Sequence, residues 1–193
     1  MYEVVGRVRS RGFRVLWALE EMGLPYRHVD VGPHSPEALS YHPSGKIPVM
    51  KDGDAVLSDS VAIMSYLSDK HGKLGAPAGT VERARLDAML HLLNEMLDAP
   101  LWMIARHTFI LPEEKRSAEA VEVEKELVMK AMDKLGEGLT GPFLMGDHFT
   151  IADILCVHCL NWAFGMGIPI ENARLKAYAK ELRARPAFTK AGQ

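Results

Sequence analysis

Three short segments of the sequence carry residues that could bind or activate a ligand. Ser10 stands just before an apolar-periodic helix, Ile47-Pro48 opens a strand, and Asp59-Ser60 separates a strand from a helix. Each segment has a structural interpretation and a chemical one, and position along the chain does not decide between them.

The Ser10 hydroxyl is placed either to cap the first helix or to donate to an anion held at the helix N-terminus. If the anion is a thiolate, lowering its pKa by two to three units requires roughly 3–4 kcal/mol. A charge-assisted hydrogen bond supplies about 1.5–3 kcal/mol and the helix dipole roughly 0.3–1 kcal/mol. Both contributions are needed, and together they about suffice.

The other two segments offer backbone and charged groups. Pro48 cannot donate to a strand ladder, so it either starts an edge strand or follows a cis bond that leaves Ile47 free to pair with an extended peptide. Asp59-Ser60 either caps a helix or binds a ligand, with Ser60 and free N–H groups on a carboxylate and Asp59 facing an ammonium group. The three segments converge on one type of ligand.

These segments need a scaffold, and the first seventy residues alternate strand-like runs with helical patterns. Residues 1–5 and 26–31 predict parallel strands, because a helix of crossover length lies between them and stops at Gly23. Residues 47–51 and 55–57 predict an antiparallel hairpin turned at Asp52-Gly53, and a helix follows. The order β-α-β-(α)-β-β-α is that of a thioredoxin-like layer.

A Gly- and Pro-rich stretch over 72–79 separates this region from one that is helical throughout. Leucines at 86, 90, 93 and 97 repeat with helical spacing, and Thr150 to Asp153 form a capping-box pattern before a buried apolar helix. We therefore expect an α/β thioredoxin-like domain over 1–73 and an all-α domain over 80–193.

Composition narrows the function. The 193 residues are 48% hydrophobic and carry a formal net charge of −2, without the basic excess of a nucleic-acid binder. No apolar stretch is long enough to span a membrane, and no signal-peptide pattern opens the sequence. Cys156 and Cys159 fall inside the apolar helix, where core packing is expected rather than metal or redox chemistry. We expect a cytoplasmic protein.

The motifs resemble those of one family. The stretches at 10–15 (SRGFRV), 42–49 (HPSGKIPV) and 57–63 (LSDSVAI) are similar to the successive N-terminal motifs of cytosolic glutathione transferases of the bacterial, serine-hydroxyl type. The capping box at Thr150 resembles that of the family's second domain, and 185–188 (RPAF) its usual ending. The resemblance covers essentially the whole chain.

The resemblance implies a homodimer, glutathione as cosubstrate and no metal. It also implies a role for six residues in binding glutathione. Ser10 is the thiolate-stabilising hydroxyl, and Ile47, before a cis Pro48, is the backbone partner of the cysteinyl unit. Lys46 contacts the glycine carboxylate, and Asp59 and Ser60 contact the γ-glutamyl end. Tyr2 is the alternative hydroxyl, but it begins the first strand at the end away from the helix N-terminus. The subclass stays open, because Asp59 replaces the commoner Glu and the basic stretch Arg7-Val8-Arg9 precedes Ser10.

The second substrate is expected between the two halves of the chain, in contact with Phe13, Trp102 and Arg106. The leading hypothesis is a transferase whose glutathione thiolate attacks a small hydrophobic electrophile or a peroxide, with peroxidase or disulfide reductase side activity. One alternative is a non-catalytic interaction or regulatory protein of the same fold. Another is a glutathione-dependent isomerase or dehalogenase, which shares the glutathione site.

Overall fold

Residues 1–193 are all described by the computed structural model, and they form two units. The first unit contains Met1–Arg83 together with Arg183–Gln193, and the second contains Ala84–Leu182. The domain limits expected from sequence assigned the last residues of the chain to the helical domain. In the structure those residues return to the first unit.

The first unit is built on a four-stranded mixed sheet with the order β2-β1-β3-β4. β1 and β2 are parallel, whereas β3 runs antiparallel to both β1 and β4. The predicted thioredoxin-like topology is confirmed. The strands are β1 (Tyr2–Val5), β2 (Tyr26–Val29), β3 (Val49–Asp52) and β4 (Ala55–Ser58).

The β3–β4 hairpin differs from the prediction by one residue. Asp52 pairs with Ala55, so the two-residue loop is Gly53-Asp54 rather than Asp52-Gly53. Gly53 takes φ +60°, which glycine adopts without steric cost. The preference of glycine for a positive φ therefore selects the loop position.

The helices of the first unit are α1 (Gly12–Met22), α2 (Pro36–Tyr41), α3 (Ser60–His71) and α9 (Pro186–Ala191). α1 packs on α3 and on α9. The ring of Phe188 lies 5.0 Å from Phe13 and 4.9 Å from Trp17, centroid to centroid, and Arg185 donates to both carboxylate oxygens of Glu21 at 2.6 and 2.7 Å. These contacts attach the end of the chain to α1.

The second unit is helical, as predicted. Its helices are α4 (Val81–Leu93, whose first turn belongs to the first unit), α5 (Ala99–Ala105), α6 (Ala118–Gly138), α7 (Ile151–Gly165) and α8 (Ala173–Arg183). Leu86, Leu90, Leu93 and Leu97 are all buried. No helix of the chain is long and apolar enough to cross a lipid bilayer.

Pro100 does not end the helix that precedes it. A π-helical turn, Asn94–Asp98, comes immediately before α5, and Ala99 N–H bonds to the carbonyl of Asn94 five residues earlier. The wider turn lets the chain stay helical through a residue that cannot donate a backbone hydrogen bond.

Asp153 is the buried polar centre of the second unit. Its carboxylate accepts from Thr150 N at 2.8 Å, from Leu144 N at 2.9 Å and from the Tyr178 hydroxyl at 2.8 Å, and the side chain is 0% exposed. Burial raises the pKa of Asp153, and these hydrogen bonds oppose that rise. The predicted capping box is present, and the hydrogen bond from Tyr178 joins the start of α7 to α8.

We expect Asp153→Asn to lower the free energy of unfolding by about 1–3 kcal/mol, because the new NH₂ group faces a buried donor instead of accepting from it. Urea unfolding measures the change. Asp133→Asn, at an exposed carboxylate on α6, serves as the matched control. Equal midpoints for the two variants would contradict this role of Asp153.

Candidate functional site

The strand register brings the three predicted segments to one edge of the sheet. Val5, the last residue of β1, pairs with Val49, the first residue of β3, and Val49 pairs with Ser58, the last residue of β4. The loop after β1, the Ile47-Pro48 segment before β3 and the Asp59-Ser60 segment after β4 therefore share this edge. Ligands of open α/β sheets bind where parallel strands end and helices begin.

Gly6 allows the Ile47 segment to approach the end of β1. Gly6 has φ +144°, and a Cβ atom on it would lie 3.2 Å from Cβ of Ile47 and 3.5 Å from Cα of Pro48. The Ile47–Pro48 peptide bond is cis. Gly6 N–H donates to Val29 O at 2.9 Å, which fixes this end of β1 against β2.

Ser10 lies at the start of α1 with its hydroxyl in a local turn. Its Oγ donates to the carbonyl of Arg7 at 2.6 Å and accepts from the backbone N–H of Gly12 at 3.0 Å. A Cβ atom at position 12 would lie 3.1 Å from this oxygen. The hydroxyl thus bonds to a backbone N–H at the start of α1. Its proton can be donated to a ligand anion only if the bond to the Arg7 carbonyl is broken.

Asp59 caps α3. Its Oδ1 atom accepts from Val61 N at 2.8 Å and from Ala62 N at 3.0 Å. Both bonds use one oxygen, so Oδ2 takes no part in the cap. The backbone of Asp59 has φ +71° and ψ +125°, a conformation that a residue with a side chain rarely adopts and that often accompanies a ligand site.

Ser60 is coupled to α1 through a buried arginine. The Ser60 side chain is 1% exposed, and its Oγ accepts from a guanidinium nitrogen of Arg14 at 3.2 Å. Because Oγ accepts in this bond, the bond does not use the hydroxyl proton of Ser60. Sequence reasoning gave Arg14 no role, although an arginine within the apolar run of α1 was the available signal.

Lys46 lies just before Ile47, next to a turn that backbone hydrogen bonds hold in place. Gly45 N donates to His42 O at 2.9 Å, and His34 N donates to Gly45 O at 2.7 Å. The Lys46 side chain itself is exposed. The turn therefore places an exposed lysine next to Ile47.

The residues predicted to contact a second substrate fall in different units. Phe13 is only 8% exposed because its ring packs on Phe188, so it has little surface to offer a ligand. In the second unit, Trp102 on α5 is 39% exposed, and Arg106 begins the π-helical turn Arg106–Ile110. A guanidinium nitrogen of Arg106 lies 3.8 Å from Sδ of Met103. Contact of these three residues with a second substrate stays a prediction.

Two other candidates have structural roles. The Tyr2 hydroxyl lies 2.7 Å from Nε2 of His71. Tyr2 is the first residue of β1, so it lies at the end of that strand opposite to the site edge. Cys156 and Cys159 are fully buried in α7, and burial raises the pKa of Cys156. A buried thiol with a raised pKa is poorly suited to nucleophilic or redox chemistry.

We expect Gly6→Ala to lower the free energy of unfolding by about 2–4 kcal/mol, because the methyl group both strains the backbone and meets Ile47. Gly72→Ala is the control, since Gly72 also has a positive φ but no atom within 4 Å of the point where a Cβ would lie. The control is expected to lose only about 1 kcal/mol. Equal losses in urea unfolding would show that the close approach to Ile47 contributes nothing.

Comparison with known proteins identifies the family. The glutathione S-transferase N-terminal domain matches residues 10–70, and the glutathione S-transferase C-terminal domain matches residues 99–186. Glutathione S-transferase 4 of Zea mays is 31% identical over 192 residues, which cover 93% of this chain and 86% of that protein. Glutathione S-transferase theta-2B of Homo sapiens is 32% identical over 179 residues, which cover 86% of this chain and 71% of that protein.

Solved structures agree with this result. The theta class glutathione S-transferase from Xanthomonas axonopodis pv. citri, with glutathione bound, matches with a TM-score of 0.84 and 25% identity, covering 100% of this chain and 97% of that one. A glutathione transferase from Methylococcus capsulatus str. bath has the same fold, with a TM-score of 0.89, 24% identity, and coverage of 100% and 97%. The family expected from the sequence motifs is confirmed, and this chain belongs to the glutathione S-transferase family of enzymes.

Proposed function

We propose that this protein binds glutathione at the sheet edge described above and transfers it to an electrophile. The observation that carries the proposal is the strand register, which gathers the Ser10 loop, Ile47 and Asp59-Ser60 at one edge. The bound glutathione in the Xanthomonas relative supports it.

Four groups at this edge complement the backbone and the ionised groups of glutathione. The Lys46 ammonium pairs with the glycine carboxylate, and the backbone of Ile47 pairs with the cysteinyl unit in the manner of an added strand. The γ-glutamyl carboxylate accepts from the Ser60 hydroxyl near the N-terminus of α3. Oδ2 of Asp59 faces the γ-glutamyl ammonium group.

Ser10 favours the thiolate form of bound glutathione. Its hydroxyl turns from the Arg7 carbonyl to donate to the sulfur, and the start of α1 adds a favourable dipole. The Arg7 carbonyl is then open to water, so the exchange costs little. The thiol proton passes to solvent.

The reaction is a nucleophilic displacement or a peroxide reduction. In the first, the sulfur forms a bond to an electrophilic carbon while the bond to the leaving group breaks, and the leaving group departs with the electron pair. In the second, the sulfur attacks a peroxide oxygen, the O–O bond breaks to give an alcohol and a sulfenic acid, and a second glutathione converts the latter to a disulfide and water. Thiolate population and proximity supply the acceleration.

The remaining expectations belong to this proposal. The second substrate contacts Phe13, Trp102 and Arg106, the protein is a cytoplasmic homodimer, and disulfide reductase activity accompanies the transferase. A panel of an aryl halide, an epoxide, a hydroperoxide and a disulfide distinguishes a transferase from a peroxidase or reductase. The isomerase and dehalogenase alternatives use the same glutathione site and differ in the second substrate.

We expect Ser10→Ala to lower the rate of conjugation at neutral pH by roughly 30- to 100-fold, corresponding to about 2–3 kcal/mol. The loss should shrink as the pH rises, because glutathione then ionises without the hydroxyl. Ser40→Ala is the matched control, since Ser40 Oγ is also exposed and donates at 2.7 Å to a carbonyl three residues earlier. Full activity of Ser10→Ala would remove Ser10 from the mechanism.

We expect Asp59→Asn to weaken glutathione binding about tenfold with little change in stability, because asparagine keeps the helix cap and tolerates a positive φ but loses the charge. Calorimetric titration with glutathione measures the affinity. Asp54→Asn, in the exposed hairpin loop, controls for the loss of one negative charge. If Asp59→Asn binds glutathione with unchanged affinity, Asp59 only caps α3 and does not bind the ligand.

Retention on immobilised glutathione, with elution by free glutathione, tests the site as a whole. A protein that is not retained would favour the non-catalytic interaction protein of the same fold. Retention without activity on the electrophile panel would favour a binding role for the same edge.

A further inference from the structure

The segment that surrounds Ser10 has an unusual excess of positive charge. Between Glu3 and Glu20 the chain carries no acidic residue and four arginines, at positions 7, 9, 11 and 14. Arg14 is buried and bonds to Ser60. The others lie on the loop that leads from β1 to α1, so their charges stand at the same sheet edge as the proposed glutathione site.

Arg7 and Arg9 differ in how they are held. The Arg7 guanidinium lies against the backbone after β2, since a Cβ atom on Gly32 would be 3.0 Å from its Nη2. Arg9 is exposed, and neither Arg7 nor Arg9 has an acidic partner in the structure. Arg9 directly precedes Ser10, so the two Cα atoms are about 3.8 Å apart, and both residues lie on the loop before α1.

Glutathione alone does not account for these charges. In the proposed site Lys46 meets one carboxylate, Ser60 and the start of α3 meet the other, and Asp59 meets the ammonium group. Ser10 and the α1 dipole stabilise the thiolate. Arg9 therefore remains without an anion to bind when glutathione occupies the edge.

We infer that the second substrate carries an anionic group, a carboxylate or sulfonate, and that Arg9 binds this group while Arg7 adds to the local positive potential. The guanidinium is always charged and presents paired donors that match such a group. This inference rests on the proposed glutathione site and names the class of electrophile that the site accepts.

The test compares two glutathione conjugates, nitroaryl thioethers that differ only in a ring carboxylate or the corresponding carboxamide. Their sulfur is uncharged, so their binding does not report on thiolate stabilisation. Dissociation constants are measured by calorimetry at low and high salt, with S-methylglutathione as reference ligand. The variants are Arg9→Gln and, as control for loss of one charge, Arg174→Gln at an exposed position on α8.

The carboxylate conjugate is expected to bind about fivefold more tightly than the carboxamide at low salt, and less so at high salt because the pair is exposed. Arg9→Gln should bring the ratio of the two affinities close to one, and Arg174→Gln should keep it. A ratio near one in the unmodified protein, or a ratio that Arg9→Gln does not alter, overturns the inference. Failure to bind S-methylglutathione overturns the proposed glutathione site and the inference with it.

Discussion

The site depends on the antiparallel pairing of β3 with both of its neighbours. Because β3 starts where β1 and β4 end, segments that are far apart in sequence meet at one edge of the sheet. The two helices that follow β1 and β4 also begin there, so the positive ends of both helix dipoles lie at this edge. A shift of one residue in either pairing would separate these groups and turn the strand faces over.

Buried polar contacts fix this arrangement where apolar packing alone would not. Arg14 of α1 donates to Ser60 at the start of α3, which ties the two helix starts to each other. Asp153 does the same for the helical unit by collecting donors from three separate segments. Such groups are costly to bury unless each finds a partner, so they specify one arrangement.

The return of the chain end to the first unit supports α1. Phe188 packs between Phe13 and Trp17, and Arg185 pairs with Glu21 on the same helix. This packing explains why an aromatic residue near Ser10 is largely covered. Phe13, which the sequence predicted to contact a second substrate, instead packs on Phe188 near the end of the chain.

Much of this protein could be predicted from its sequence, because local signals are strong in it. Alternation of apolar residues, glycine after α1 and the capping box of α7 placed most elements within a few residues, and the motifs indicated the family. One error was local, because the hairpin loop moved by one residue. Tertiary structure alone decided the partner of Arg14, the positive φ of Asp59 and the covering of Phe13, because each follows from contacts between distant segments. Local sequence fixes which backbone conformations are favourable, whereas strand register and core packing decide which side chains meet.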